Sequence, residues 1–266
     1  MRKTNNKNFT KTLIIMIVIA GLLTLGMMIL EQVRKSNDTY VTIDLDSMEL
    51  VQLDGVKNGD PIAIFETTLG EIRFVLYPEY SPEAVANFTE LVNSGYYDGT
   101  YFYNSESGVY SSAGSKQKDG SYPKGDKHER IKRELNQDLW TFKGAVCCAT
   151  TDFERNFKEM LIGGGTYYCG SRLNFLNTIE FTDELKEQFR ASDTDNALVE
   201  AFIENGGIPN FSQQMTVIGQ VYQGLDIIEK LASLNATDNG YYKIPDDDIM
   251  IISAKTDVYS DNENKE

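Results

Sequence analysis

The chain has 266 residues, with 25 Lys and Arg against 40 Asp and Glu for a net charge of −15, and 15 Tyr and 13 Phe among its apolar residues. Such an acidic balance argues against binding nucleic acid or anionic lipid through charge, while the aromatic supply is enough for a sizeable core. Three cysteines, Cys147, Cys148 and Cys169, are too few for a disulfide framework, and a single histidine, His128, without any CxxC pair leaves no metal site or cofactor to expect.

Residues 1–12 form a basic tail carrying Arg2, Lys3, Lys7 and Lys11 and no acid. Residues 13–30 follow without a charged side chain, close to the roughly 20 residues that a helix needs to cross a hydrocarbon core. The positive-inside rule places the tail in the cytoplasm and the remainder outside, in a single pass through the cell membrane. A cleaved signal peptide has the same basic start. However, the run exceeds the usual 7 to 15 or so apolar residues, and Met27, Met28, Ile29, Leu30 and Glu31 offer no small-x-small cleavage site, so an uncleaved anchor is expected. Residues 31–60 are polar and read as a stalk with at most one short strand near Tyr40 to Leu45.

A domain over 61–258 is expected next, with a polar tail at 259–266. Two β-rich runs around Leu69-Gly70-Glu71 make a hairpin over 62–76. Ser81-Pro82-Glu83 is an N-cap, a first-turn proline and an acid at the positive end of the dipole; it opens a helix whose Val85, Phe88, Leu91 and Val92 share a face. Residues 96–102 resume β character, and the Ser-, Gly- and Lys-rich stretch 105–127 reads as a long exposed loop. A short strand at 144–149 puts Cys147 and Cys148 on opposite faces, so only one of them can face Cys169. A charged amphipathic insertion at about 152–165 ends in Gly163-Gly164-Gly165, which lacks the Lys-Ser/Thr of a phosphate loop and reads as a return into the strand 166–169. A second insertion at about 173–207 has helical spacing over Thr182 to Asn205, split near Ser192 to Asp195. A strand at 215–221, a helix at 224–234 and a closing strand at 248–254 complete the order.

This order, and four segments within it, resemble the cyclophilin family of peptidyl-prolyl isomerases. Thr68 to Ile72 with Ser81 to Phe88 is similar to the family's first hairpin and helix, and Gly95 to Phe102 to its "G.Y.gt.FHRv" strand. Met215 to Val221 with Gly224 to Ile228 resembles its "vvFG.V..G.dvv" segment, and Pro245 to Ala254 its last strand. The resemblance implies a mainly β fold, a closed eight-stranded β-barrel capped by two helices, here with an N-terminal transmembrane helix and helical insertions. It also implies binding of proline-containing segments, which the anchor would make those of exported proteins.

The departures fall where the family keeps its chemistry. The catalytic arginine's place is taken by Asn104, two residues past Phe102. In place of "GFMiQGG" stand Gly108 to Gly114, so that Val109, Tyr110 and Ser112 occupy groove positions; "QFFI" becomes Thr166 to Cys169, and the groove histidine becomes Met215. Ala149, Tyr168 and the apolar Phe211 are kept in kind. The resemblance therefore implies a groove of Phe102, Val109, Tyr110, Ser112, Ala149, Thr166, Tyr168, Phe211 and Met215, with His128 and Arg172 as the nameable substitute donors. Tyr110, Tyr168 and Met215 supply aromatic and adaptable apolar surface with polar tips. They could equally serve only to close the barrel. A membrane-anchored isomerase is thus expected, with a catalytically inactive peptide-binding or scaffold module of the same fold, or an unrelated adhesion-type β domain, as alternatives.

Overall fold

The computed structural model describes residues 41–124, 130–162, 164–192 and 196–261. The basic tail, the apolar run 13–30, the first part of the expected stalk and His128 lie outside them. Among the described residues no helix is long and apolar enough to cross a membrane.

Contacts divide the described chain into a main unit, 41–153 with 167–261, and the separate segment 154–166. The main unit is a nine-stranded sheet: β1 (Pro61–Thr67), β2 (Gly70–Leu76), β3 (Tyr101–Glu106), β4 (Tyr110–Ser115), β5 (Ile131–Lys132), β6 (Ala145–Glu154), β7 (Thr166–Leu176), β8 (Thr216–Gln223) and β11 (Ile251–Val258). A small separate hairpin pairs β9 (Ala236–Asp238) with β10 (Lys243–Pro245). The large sheet runs β11-β1-β2-β8-β6-β7-β4-β3, with β5 attached to β7. The helices are α1 (Pro82–Asn93), α2 (Phe157–Ile162), α3 (Asp183–Arg190), α4 (Asn196–Asn205) and α5 (Leu225–Ala232).

Closure of the expected barrel is incomplete. The two outer strands, β3 and β11, meet only at an isolated bridge between Tyr101 and Met250, flanked by Phe102 N–H to Ile249 O (2.8 Å) and Ile251 N–H to Thr100 O (2.9 Å). β11 pairs along one edge with β1, from Pro61 opposite Val258 to Thr67 opposite Ile251, and forms no ladder with β3 along the other. Further along β3, the free edge instead receives Lys243 of β10, whose N–H donates to Asn104 Oδ1 (2.8 Å). The result is a curled half-barrel sheet with an open seam.

Its concave face holds an aromatic core. Phe65 sits at the hub, with ring centroids of Phe74 at 5.3 Å, Tyr97 at 5.5 Å, Phe88 at 6.0 Å and Phe175 at 6.1 Å. The two helices expected to cap the sheet do so: α1 inserts Ala84, Val85, Phe88 and Val92, and α5 inserts Ile227, Ile228 and Leu231. β8 crosses β2 through Gly219, where a Cβ would lie 2.3 Å from the Val75 carbonyl oxygen, so only glycine fits.

The start of α1 differs from the sequence expectation. Ser81 is fully buried and its hydroxyl donates to the Val217 carbonyl (2.8 Å), which leaves the helix's first N–H groups to another acceptor. The Glu134 carboxylate takes them, from Glu83 N–H (3.2 Å) and Ala84 N–H (2.8 Å), where the positive end of the helix dipole favours an anion.

Residues 41–60 do not hang free as a stalk, and the short strand expected near Tyr40 to Leu45 is absent from 41–45. Gln52, in a 3-10 turn at Val51–Leu53, is buried; its side-chain oxygen accepts the Trp140 N–H (2.5 Å) and its nitrogen donates to Gln220 (2.8 Å). Ile43, Met48 and Leu50 pack on a satellite core of Trp140, Phe142, Leu198, Ala201 and Phe202, most of it supplied by α4. The expected split of the second insertion is present between α3 and α4, which the paired Arg190 and Glu200 side chains join (2.6 and 2.9 Å). The long loop expected at 105–127 is interrupted by β4, whose Ser111, Ser112, Ala113 and Ser115 are buried.

The segment 154–166 carries the short α2. Its start is a reciprocal cap: Asn156 N–H donates to Glu159 Oε2 (2.8 Å) and Glu159 N–H to Asn156 Oδ1 (2.9 Å). Arg155 Nε donates to the Gly164 carbonyl (2.8 Å), which closes the tip.

Candidate functional site

The β3–β4 hairpin sets the site's geometry. Phe102 lies opposite Ala113 and Asn104 opposite Ser112, so Tyr103 is an extra residue in the ladder. The bulge leaves Phe102 in the core, 5.7 Å from the Phe175 ring, while Tyr103 and Asn104 leave the core face. β4 pairs next with β7, placing Asn174 opposite Ser112 and Leu176 opposite Tyr110.

Four side chains then form a directed hydrogen-bond chain. The Asn104 oxygen is occupied by the Lys243 N–H, so its amide nitrogen faces Ser112 Oγ, at a long 3.5 Å. Ser112 Oγ donates to Asn174 Oδ1 (2.8 Å), and Asn174 Nδ2 donates to the Met215 sulfur (3.4 Å). Asn104, Ser112 and Asn174 are all buried, which makes each link costly to leave unmade.

Beside this chain lies a partly exposed apolar surface of Val109, Tyr110, Ile179, Phe211 and Met215, resting on buried Leu139, Leu176, Ile208 and Val217. The 3-10 turn Pro209–Phe211 presents Phe211 edge-on to the Tyr110 ring, 5.7 Å between centroids. Burial pushes the Tyr110 phenol above its ordinary pKa and the Glu106 carboxylate adds to that; the Asn104 amide and the Lys243 ammonium act in the opposite sense. Lys243 Nζ itself pairs with Glu106 and donates to Ser107 Oγ (2.8 Å). An apolar surface bordered by fixed amide and phenol groups suits a compact apolar group that carries a peptide bond.

Of the residues named from the resemblance, the structure places Asn104, Val109, Tyr110, Ser112, Phe211 and Met215 close together. Phe102 is buried core rather than surface. Ala149 is buried on β6. Tyr168 pairs with Lys132 of β5 and stacks under the Arg130 guanidinium at 4.0 Å. It stands six residues from Asn174 on β7, about 20 Å along an extended strand. Thr166 falls in the separate 154–166 segment. The "QFFI" counterpart placed at Thr166 to Cys169 is therefore displaced: the residues that face β4 are Leu173 to Leu176. Asn174, absent from the expected groove, borders it, with buried Leu176 beneath; their signal was the alternation of Leu173 and Phe175 on the core face with Asn174 and Leu176 on the other.

Arg172 shares the face of Asn174 and is buried. Its guanidinium lies between the rings of Tyr103 (4.8 Å) and Tyr122 (4.4 Å), and Nη2 donates to the carbonyls of Gly120 (3.2 Å) and Ser121 (3.3 Å). It is held by this aromatic cage rather than presented to the apolar surface. Cys148 and Cys169 face each other in the core, and their hydrogen bond together with burial pushes the Cys148 thiol up; Cys147 is buried on the opposite face, and all three are free thiols. Among the described residues no cluster of His, Cys, Asp or Glu could hold a metal ion.

The model of the cyclophilin type peptidyl-prolyl cis-trans isomerase/CLD family matches residues 62–172. A candidate peptidyl-prolyl cis-trans isomerase of Staphylococcus saprophyticus is 26% identical over 204 residues, covering 76% of this chain and 97% of that protein. A candidate bifunctional phosphatase/peptidyl-prolyl cis-trans isomerase of Streptococcus pyogenes is 24% identical over 209 residues; the match covers 77% of this chain but only 40% of that longer protein. The crystal structure of a cyclophilin type isomerase from Cryptosporidium parvum superposes with a TM-score of 0.52 at 17% identity, covering 76% of this chain and 99% of the other. A structure of that protein determined with the dipeptide Ala-Pro gives 0.51.

Residues 62–172 thus match the cyclophilin-type family. Against that family the chain is divergent: the half-barrel, the two capping helices and the β3–β4 hairpin are present, while Asn104 stands where the resemblance places an arginine, and α3, α4 and the 154–166 segment stand beside them.

Proposed function

We propose that this chain is a membrane-anchored, extracytoplasmic cyclophilin-type peptidyl-prolyl cis-trans isomerase that acts on proline-containing segments of exported proteins. The observation that carries the activity is the apolar surface of Val109, Tyr110, Phe211 and Met215 lying directly against the Asn104–Ser112–Asn174 chain. The apolar run 13–30 and its basic flank support the anchoring and the orientation.

Prolyl isomerisation has a barrier near 18–20 kcal/mol and takes tens to hundreds of seconds unaided. No covalent bond is made. The site has to seat the pyrrolidine ring and stabilise the twisted amide, whose nitrogen becomes pyramidal and able to accept a hydrogen bond. Asn104 is shorter than arginine and neutral, and its oxygen is already bound to Lys243. Loss of one preorganised donor costs about 10²–10³ in rate, so catalysis should be slower than at an arginine-bearing site by about that factor before compensation.

The proposal is tested by exchange NMR on an Ala-Pro peptide with the full chain in detergent micelles, where cis–trans exchange above the uncatalysed rate is expected. A second reading, a peptide-binding module without catalysis, is favoured by the burial of Asn104. It predicts shifts of peptide resonances on titration with no gain in exchange. Orientation is tested by protease accessibility of intact cells: the domain should be cleaved from outside, and protection would refute the extracytoplasmic assignment.

A further inference from the structure

The surface needs a hydrogen-bond donor at its edge, and the structure assigns one. We propose that the Tyr110 hydroxyl, backed by the Asn104 amide, donates the hydrogen bond that stabilises the twisted X–Pro amide. The inference rests on the isomerase reading above and names the residue that performs it.

Asn104 and Tyr110 are diagonal neighbours on one face of the β3–β4 ladder, Asn104 lying opposite Ser112 and Tyr110 opposite Glu106. The Asn104 oxygen is fixed by the Lys243 N–H at 2.8 Å, so the group it turns toward β4 is its NH2, which can only donate. The next link points the same way: Ser112 uses its hydrogen on Asn174 Oδ1 and keeps only lone pairs for Asn104. The Asn104 amide lies near enough to the Tyr110 phenol to favour its ionised form, and an oxygen set beside an NH2 group turns its own hydrogen outward. Among the described residues no acceptor closes a short hydrogen bond to that hydroxyl, and it is not one of the buried polar atoms sealed from solvent.

The ring is held while the hydroxyl is available. Phe211 packs edge-on against it at 5.7 Å, and Val109 and Met215 share the same apolar cluster. A proline ring seated on Phe211 and Met215 would bring its amide nitrogen beside the phenol. Lys243 and Glu106, both close to the phenol, pair with one another, which leaves the phenol as the neutral donor at this edge. No proton is transferred: the O–H hydrogen bonds to the pyramidal nitrogen as the amide twists and is released when planarity returns. Arg172, the other candidate, is enclosed by Tyr103, Tyr122 and the carbonyls of Gly120 and Ser121.

Exchange NMR and peptide titration on the full chain, with Tyr110→Phe and Asn104→Asp beside the wild type, test this. Tyr110→Phe keeps the ring and its packing, and should lower the catalysed exchange rate by about 10²-fold while peptide affinity changes less than about threefold. Asn104→Asp places an acceptor where the NH2 stood, turns the Tyr110 hydrogen inward and should lower the rate in the same way; Asn104→Gln, which restores an NH2, should recover part of it. A wild type that catalyses and a Tyr110→Phe variant within twofold of it would overturn this inference and leave the isomerase reading standing. A wild type that binds peptide without catalysis would overturn the isomerase reading itself.

Discussion

Phe102→Ala distinguishes a core residue from a substrate-binding one at a position that the family resemblance assigns to the groove. Phe102 is 1% exposed, packs on Phe175 at 5.7 Å and belongs to the same cluster as Phe65 and Ile249. Truncating a fully buried phenylalanine removes the transfer free energy of its ring and leaves a cavity, together about 3–5 kcal/mol. In a domain of this size each kcal/mol moves the melting temperature by about 2–4 °C, so the expected loss is roughly 6–20 °C. Stabilities of about 5–15 kcal/mol leave the variant folded at room temperature. Circular dichroism melts of the full chain in micelles, with peptide titration well below the transition, read both properties. Phe102→Leu, which conserves most of the volume, should cost less than about 1.5 kcal/mol and leave peptide affinity unchanged. An unchanged melting temperature for Phe102→Ala together with lost peptide binding in both variants would refute the placement of this ring.

Glu134→Ala removes the acceptor for two N–H groups at the start of α1 and should cost about 0.5–2 kcal/mol, as losing a helix cap does; Glu134→Gln, which keeps one oxygen, should cost less. A neutral Glu134→Ala would return the capping role to Ser81. Stability should also fall at alkaline pH. Burial raises the phenol pKa of Tyr77, Tyr97 and Tyr103 in the folded state, so the unfolded chain loses these protons first as pH passes about 10. Below that pH their contribution is fully present. Above it, stability should decline by about 1.4 kcal/mol per pH unit for each tyrosine until its folded pKa is reached. Chemical denaturation at pH 8 and pH 11 checks this, and equal midpoints would refute it.

Local signals carried much of this fold. The β1–β2 hairpin and α1 were legible because alternation and the Ser-Pro-Glu start act within a few residues, and the split between α3 and α4 because Ser192 to Asp195 interrupts helical spacing. What escaped was set by distant partners. Glu134 caps α1 from 50 residues away, and Gln52 ties a polar segment to Trp140 and Gln220. β4 reads as a loop because its Ser and Gly residues carry no apolar alternation; in the sheet its backbone pairs with β3 and β7, and the Ser112 hydroxyl finds Asn174 on β7. β7 is long enough to offer two windows for the same motif, and the inward pair Leu173 and Phe175 selects the later one. Asn104, Tyr110, Ser112, Phe211 and Met215 were legible as a group, but the direction of the hydrogen bonds among them required Lys243, which lies 139 residues beyond Asn104.

The most direct test of the account is cis–trans exchange of an Ala-Pro peptide measured with the wild-type full chain at substoichiometric concentration. Exchange cross-peaks are expected at mixing times of about a second, far shorter than the tens to hundreds of seconds of the unaided reaction. Exchange no faster than in peptide alone, at protein concentrations where titration shows the peptide bound, would contradict it.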